Sequence, residues 1–447
     1  MNAVANNAAV MDPNPLSAEI FHRAERVMPS GYTRDLVATK PHPAYAASAD
    51  GCWITDVDGH RMIDWVNNFT ALIHGHNKRE IVDVIASQAG RLMSAILPTE
   101  WEVKLAELLC ERIPSIERVR FMNSGTEANQ IVTKVARAYT GKTKIAKMEG
   151  GYHGQYDLLE ASFQPKPPAW GDAKRPQPVA HNPGTPQSLL DELVVLPLND
   201  IDATREILRE RAHELAAVIL DPFRLQLGMV EPKREFLQML REETARLGIL
   251  LIFDEVMCLR VGYHGAQGML GVTPDLTTMG KIIGGGLPIG GVGGKAEYMS
   301  MFDIDRVEHR VKHSGTYTAN PMSMAAGYTG MSLLTPEVFA DLSAKSERLR
   351  EGLRKIVADV GIEGRIVGGS SMSGIFFTSL PVENYRQLAA AAAGGMVERM
   401  MLAQKLLLAE GLLTMRGGFV TSTPMTNDDI DFTLAGTRRA LTRMKQL

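Results

Sequence analysis

Lys281 lies between Gly280 and the triplet Gly284, Gly285 and Gly286, a short way after the apolar run 250–256, which ends in the acids Asp254 and Glu255 before Val256. An ε-amine held in a tight glycine-rich loop can condense with an aldehyde, and a carboxylate at the end of a buried strand can keep a ring nitrogen protonated. Together they suggest pyridoxal phosphate. Each residue alone has a plainer reading: solvated loop lysines are common, and a strand-end acid can serve as a helix cap or pair with an arginine.

Further clusters upstream and downstream have matching chemistry. Asn123, Ser124, Gly125 and Thr126 follow one predicted strand and open a predicted helix, where backbone N–H groups and a hydroxyl converge as in a phosphate cradle. A simple helix cap accounts for the same residues. Gly150 to Gly154 holds Tyr152, which can lie flat on a heteroaromatic ring, and His153. His313 to Tyr317 forms a second small-residue cluster before a helix, with Gly315 and Thr316 at its centre. One chain rarely needs two such loops for one phosphate, so the second is expected to reach a neighbouring subunit. Gly141-Lys142-Thr143 imitates the end of a nucleotide loop, but the glycine required upstream is Ala136, so nucleotide binding is not expected.

The elements that must position these groups follow a doubly wound pattern. From about 70 to 330, short apolar runs alternate with amphipathic segments, predicting an α/β domain with a mostly parallel sheet. Strands are expected at 118–122, 144–148, 217–220, 250–253 and 291–293, and helices at 78–91, 99–112, 127–140, 235–247 and 321–333. Residues 163–187 read as a long surface excursion. Residues 1–69 (a loose tail to about 15, a helix and a small sheet), 70–333 (the large domain) and 334–447 (a smaller α+β lobe) are the expected divisions, the terminal segments forming the small domain. A single helix is expected over 385–409.

Composition narrows the partners. In 447 residues, 48 basic groups nearly balance 51 acidic ones without long blocks of one sign, which argues against a nucleic-acid or membrane surface and for a small-molecule ligand. Cys52, Cys110 and Cys258 have no metal-site or disulfide-framework spacing, so no metal and a reducing cytoplasm are expected. The N-terminus does not read as a secretion signal, and no segment reaches the roughly 18 consecutive apolar residues of a membrane span.

Six segments carry a family resemblance: 56–60 (Asp-Val-Asp-Gly-His), 123–128 (Asn-Ser-Gly-Thr-Glu-Ala), 151–154 (Gly-Tyr-His-Gly), 253–256 (Phe-Asp-Glu-Val), Gly280-Lys281 with its glycine tail, and 313–316 (His-Ser-Gly-Thr). On them the chain resembles a class III (ω-type) aminotransferase of the fold-type I pyridoxal-phosphate superfamily over nearly its whole length. The resemblance implies that Lys281 bonds the cofactor's aldehyde carbon and that Asp254 pairs with its pyridine nitrogen. Val256 would pack behind the ring and Tyr152 on its face, with His153 beside it. Ser124, Gly125 and Thr126 would hold the phosphate, with Gly315 and Thr316 contributed across a homodimer.

Within the class the likeness is strongest to β-phenylalanine (β-amino acid) aminotransferases, then to glutamate-1-semialdehyde aminomutases. Arg34 and Arg416 match the places of carboxylate-binding arginines, whose fork suits both oxygens, and Phe69 would line the substrate pocket. The expected reaction is a two-half ping-pong transfer from an amino acid to 2-oxoglutarate or pyruvate; the alternatives are an aminomutase, a racemase or a lyase. Asp221-Pro222-Phe223-Arg224 departs from the family's usual Glu-Pro segment, and Arg224, a further candidate for substrate binding, would add a fixed charge beside the ring, move the carboxylate clamp or turn outward.

Overall fold

Branched and leucine-rich segments that are buried on both faces can only be central strands covered by helices, and this chain has a row of them. In a computed structural model, which describes residues 14–223, 230–306, 308 and 310–447, the strands are β1 (Ala46–Asp50), β2 (Trp53–Asp56), β3 (Arg61–Asp64), β4 (Arg118–Met122), β5 (Lys144–Met148), β6 (Leu193–Leu196), β7 (Leu215–Leu220), β8 (Leu250–Asp254), β9 (Leu276–Gly280), β10 (Gly290–Gly294), β11 (Arg365–Gly369), β12 (Met372–Phe376), β13 (Leu412–Leu413) and β14 (Gly418–Val420). Seven of them form the large sheet in the order β4-β10-β9-β8-β7-β5-β6. Strands β6, β5, β7, β8 and β9 are parallel. β10 runs against both β9 and β4, so β4 points the same way as the other five. The tight turn at Gly285 and Gly286, both with positive φ, sends the chain straight back from β9 into β10 and makes that one strand antiparallel.

β4, β5, β8 and β9 deliver Ser124, Tyr152, Asp254 and Lys281 at the same edge of the sheet, their carboxyl ends, where ligands of open α/β sheets collect.

Two further sheets flank the large one. β1-β2-β3-β13 joins both ends of the chain, because β13 pairs with β3 in parallel, and β11-β12-β14 is antiparallel. The helix expected over 385–409 is two, Tyr385–Ala393 and Met396–Ala409, broken where Gly394 and Gly395 meet and Gly395 adopts φ 85°. Residues 163–187 are mostly exposed, as the excursion reading expects, but they are anchored: Phe163 packs edge-on to Tyr152 with ring centroids 5.0 Å apart, and Arg386 binds the carbonyls of Trp170, Gly171 and Asp172. Among the described residues no helix is long and apolar enough to cross a membrane.

Candidate active site

Asp254 ends β8 inside the protein, where an unpaired charge is expensive. Four donors meet its carboxylate. Oδ2 accepts from His153 Nδ1 (2.7 Å) and Asn129 Nδ2 (2.8 Å), and Oδ1 from the Val256 N–H (3.1 Å) and, more weakly, from the Thr278 hydroxyl (3.3 Å), whose one proton is shared with the nearer Asn129 Oδ1 (2.6 Å). Burial works to raise the Asp254 carboxyl, but His153 and the other donors outweigh it and hold the group below the usual carboxylate range. His153 is itself fully enclosed, and that burial lowers its imidazole, so it donates from Nδ1 as a neutral ring. Its Nε2 has no partner among the described residues. The result is a carboxylate kept ionised by neutral donors, with a demand for a cation still unmet.

Lys281 stands one residue beyond β9 with φ 50°, a left-handed backbone that a non-glycine residue rarely adopts without a reason. Its Nζ makes neither a hydrogen bond nor an ion pair among the described residues. Burial lowers the ammonium, against the opposing pull of Asp254 and Asp221. An unpaired amine with a depressed pKa in the field of a carboxylate is suited to nucleophilic and proton-transfer work. Lys147 shows why the pKa alone is a poor guide. Burial lowers it to about 7, yet its Nζ is tied to the carbonyls of Leu159 (2.6 Å) and Ala161 (2.7 Å).

The loops around this pair are in close contact. A Cβ on Gly125 would lie 2.9 Å from both methyls of Val256, and one on Gly280 would lie 3.3 Å from the nearer of them. Val256 is therefore wedged between the start of the 125–140 helix and the residue before Lys281. Ser124 caps that helix, its hydroxyl accepting from the Glu127 N–H at 3.1 Å, so the cap reading of its side chain holds. The N–H groups of Gly125 and Thr126, in the first turn, have no partner within the helix and remain to receive an anion. The Thr126 hydroxyl accepts from the Gln155 N–H at 3.3 Å, which ties this end to the loop that carries Tyr152 and His153.

Tyr152 is half-buried and feels the charge of Asp254, which together with burial raises its phenol. Gly315 and Thr316 are exposed on this chain, near Asn123: a Cβ on Gly315 would lie 3.8 Å from the Asn123 amide nitrogen. Arg34 is exposed, gives Nη1 to Asn68 Oδ1 at 3.0 Å and sits 5.9 Å from the Phe69 ring. Arg416 has φ 49° and its N–H is held by Gln404 Oε1 at 2.7 Å. Arg224 lies outside the described residues.

Several features of the site have no counterpart among the sequence expectations. Asn129 satisfies itself completely, donating to Asp254 and the His153 carbonyl and accepting from Thr278 at 2.6 Å. A buried asparagine inside a helix is a poor helix former, and that was the available signal. Phe69 belongs to a run of four left-handed residues, Asn67, Asn68, Phe69 and Thr70, with φ from 46° to 77°. Such a run is costly for L-residues and no local pattern announces it. Glu149, just after β5, is gripped by the Arg386 guanidinium at 3.0–3.2 Å, which clamps the C-terminal segment over the Tyr152 loop.

Pyridoxal phosphate carries an aldehyde, a ring nitrogen and a phosphate ester, and the residues present fit all three. Among the described residues there is an amine without a partner, an ionised buried carboxylate with no cation paired to it, and a helix start whose first N–H groups have no acceptor within the helix.

The profile of the aminotransferase class-III family matches residues 37–414. A curated glutamate-1-semialdehyde 2,1-aminomutase 2 of Exiguobacterium sp. is 38% identical over 437 residues, 96% of this chain and 98% of that protein. Among solved structures, an omega-transaminase from Sphaerobacter thermophilus superposes with a TM-score of 0.92 at 43% identity, over 96% of this chain and 98% of that one. A beta-phenylalanine aminotransferase from Variovorax paradoxus superposes at 0.85 with 34% identity, over 98% and 96%. The chain thus belongs to the class III aminotransferases, as an α/β, fold-type I enzyme that depends on pyridoxal phosphate.

Proposed function

We propose that this enzyme transfers the amino group of a carboxylate-bearing amino acid, β-amino acids being favoured, to a keto acid such as 2-oxoglutarate or pyruvate in a two-half ping-pong cycle. The observation that carries the reading is the pairing of an unpartnered Lys281 amine with a buried, ionised Asp254 at one sheet edge, with Arg34 exposed above Phe69. Bound pyridoxal phosphate supplies an electron-accepting ring to the carbon that loses a proton.

The chain's own residues do the rest. Lys281 would hold the cofactor and, once displaced by substrate, its free amine would take the proton from the amine-bearing carbon and deliver it to the carbon on the other side of the amine nitrogen. Asp254 stays ionised so that the ring nitrogen stays protonated. Asn129, Thr278 and His153 fix its orientation. Tyr152 covers one face of the ring and Val256 supports the other, while Gly125 and Thr126 bind the phosphate and Ser124 shapes their turn. Arg34 and Arg416 receive substrate carboxylates, as in the reading that fits the β-phenylalanine aminotransferase likeness.

A homodimer completes the site in this reading, Gly315 and Thr316 reaching the partner's phosphate. Support comes from the surface beside them. Met93, Ile96, Leu97 and Tyr317 are 60%, 100%, 73% and 66% exposed, and Asn320 binds the Met93 carbonyl at 3.2 Å, so the apolar side chains form one neighbourhood that calls for a cover. The place of action is the cytoplasm.

A second reading, a 2,1-aminomutase that shifts the amino group within one molecule, draws on the curated relative's name. A panel of α-, β- and ω-amino acids, each assayed with and without an added keto acid, separates the two. Turnover that requires the acceptor supports the transferase; turnover without acceptor overturns it, in favour of the mutase where the product is the positional isomer of the donor. Reaction confined to amines without a carboxylate removes the roles given to Arg34 and Arg416.

A further inference from the structure

Arg260 is fully enclosed, six residues after Asp254, in the single turn Cys258–Val261. No carboxylate pairs with it among the described residues. Its three kinds of donor nitrogen go instead to neutral oxygens on other segments: Nε to the Ser371 hydroxyl (3.1 Å), Nη1 to the Thr70 carbonyl (2.8 Å) and Nη2 to the Thr421 carbonyl. A buried guanidinium whose only acceptors among the described residues are neutral oxygens is costly, and burial lowers its pKa to about 9.

The segments it joins are the substrate side of the site. Thr70 closes the left-handed run that carries Phe69, and Asn68 of that run holds Arg34. Thr421 directly follows β14, which grows out of the turn that carries Arg416, where the Gly418 N–H binds the Met415 carbonyl at 2.8 Å. The two segments also hold each other through Asn67 Nδ2 and the Val420 carbonyl at 2.6 Å. A left-handed run of four residues persists only if its surroundings over-determine it. Arg260 is the part of those surroundings rooted beside Asp254.

We propose that Arg260 is a positioning residue: its planar fork sets the Phe69 turn and the strand after Arg416 at a fixed place relative to Asp254 and Lys281, so that both carboxylate-binding arginines face the reacting amine. The proposal rests on the carboxylate roles given to Arg34 and Arg416. Arg260 also lies in the electrostatic field of Lys281, together with Asp254, Asp221 and Cys258, which gives a second handle that does not depend on those roles.

The test uses the holoenzyme with Arg260→Lys, which keeps a charge but loses the fork, and Arg260→Met, which loses both. Arg260→Lys is expected to cut kcat/KM for a carboxylate-bearing donor by about tenfold or more through KM, with kcat within about threefold, because only binding is misplaced. In an Arg34→Gln/Arg416→Gln background the same change should cost less than about twofold, since the groups it aligns are gone. Equal losses in both backgrounds would show a merely structural role and overturn the proposal. Arg260→Met should in addition move the midpoint of the bound cofactor's pH-dependent absorbance upward by about half a pH unit, as a cation near Lys281 is lost. If Arg260→Met does not fold, Ser371→Ala, which removes one of the three acceptors, serves with Arg260→Lys. If Arg34→Gln/Arg416→Gln leaves kcat/KM unchanged, the carboxylate reading fails and Arg260 has nothing to align; if that double variant loses activity while Arg260→Lys keeps it, the positioning role alone is overturned.

Discussion

Asparagine in place of Asp254 is the perturbation whose cost the structure lets one work out most fully. The amide keeps an oxygen for the Val256 N–H and the Thr278 hydroxyl, but its NH2 then faces His153 Nδ1–H and the Asn129 amide, which are donors themselves. His153 can relieve its side by moving its proton to Nε2, which has no acceptor among the described residues. One or two buried groups are left unsatisfied, at about 1–3 kcal/mol each, so a fall in stability of about 2 kcal/mol is expected. The chemical loss is larger. Unit charges about 4 Å apart attract by about 4 kcal/mol at an effective dielectric of about 20, about three pH units of support for a protonated ring nitrogen held by Asp254; without it the ring would lose its proton, and a loss of about a thousandfold in rate is the expected scale. Thermal unfolding of the apoenzyme reads the first number, and kcat/KM on the cofactor-saturated enzyme reads the second. Asp254→Ala, which strips all four donors, should be less stable than Asp254→Asn yet no more active. An Asp254→Asn enzyme within tenfold of the parent activity would refute the assignment of Asp254 to the ring nitrogen.

Other expectations follow from individual contacts. Gly125→Ala puts a methyl 2.9 Å from both Val256 methyls, so cofactor retention on dialysis should fall and stability drop by about 1–3 kcal/mol. Gly150→Ala should be worse, because its φ is +79° and the new Cβ would lie 2.3 Å from the Tyr385 ring; loss of soluble protein, or a melting temperature lowered by many degrees, is the expected readout. Lys147 has a folded pKa of about 7 against 10.5 unfolded, so between those values the unfolded chain binds the extra proton and stability rises with pH. Denaturant titrations at pH 7 and 9 should show Lys147→Met lacking a gain of up to about 2 kcal/mol that the parent enzyme has.

Much of this architecture is legible in the sequence, and the exceptions have physical causes. β4 and β5 fall at their expected residues, and the helices at 100–112 and 125–140 begin within two residues of expectation, because apolar periodicity and capping are local properties. β6 and β9 went unmarked: Leu193–Leu196 is only four residues long, and β9 reads Leu-Thr-Thr-Met-Gly, polar at positions that are nonetheless fully buried. Thr277 and Thr278 can be buried there because Ser115, Gln267, Asn129 and Asp254 bond to them, partners far away in sequence. The same reason hides Arg260 and the Glu149–Arg386 clamp. Lys281 and Asp254 stand out in the sequence because they lie at strand ends, where a boundary in hydrophobic pattern marks the place.

Lys281 is proposed as the residue that bonds pyridoxal phosphate. Borohydride reduction of the holoenzyme, followed by peptide mapping, fixes the cofactor to whichever lysine holds it. The label should appear on the peptide containing Lys281 and vanish in Lys281→Ala, whose fold should be unchanged by circular dichroism. A label on Lys147, the other buried lysine with a lowered pKa, or on any lysine that persists in Lys281→Ala, would contradict the account.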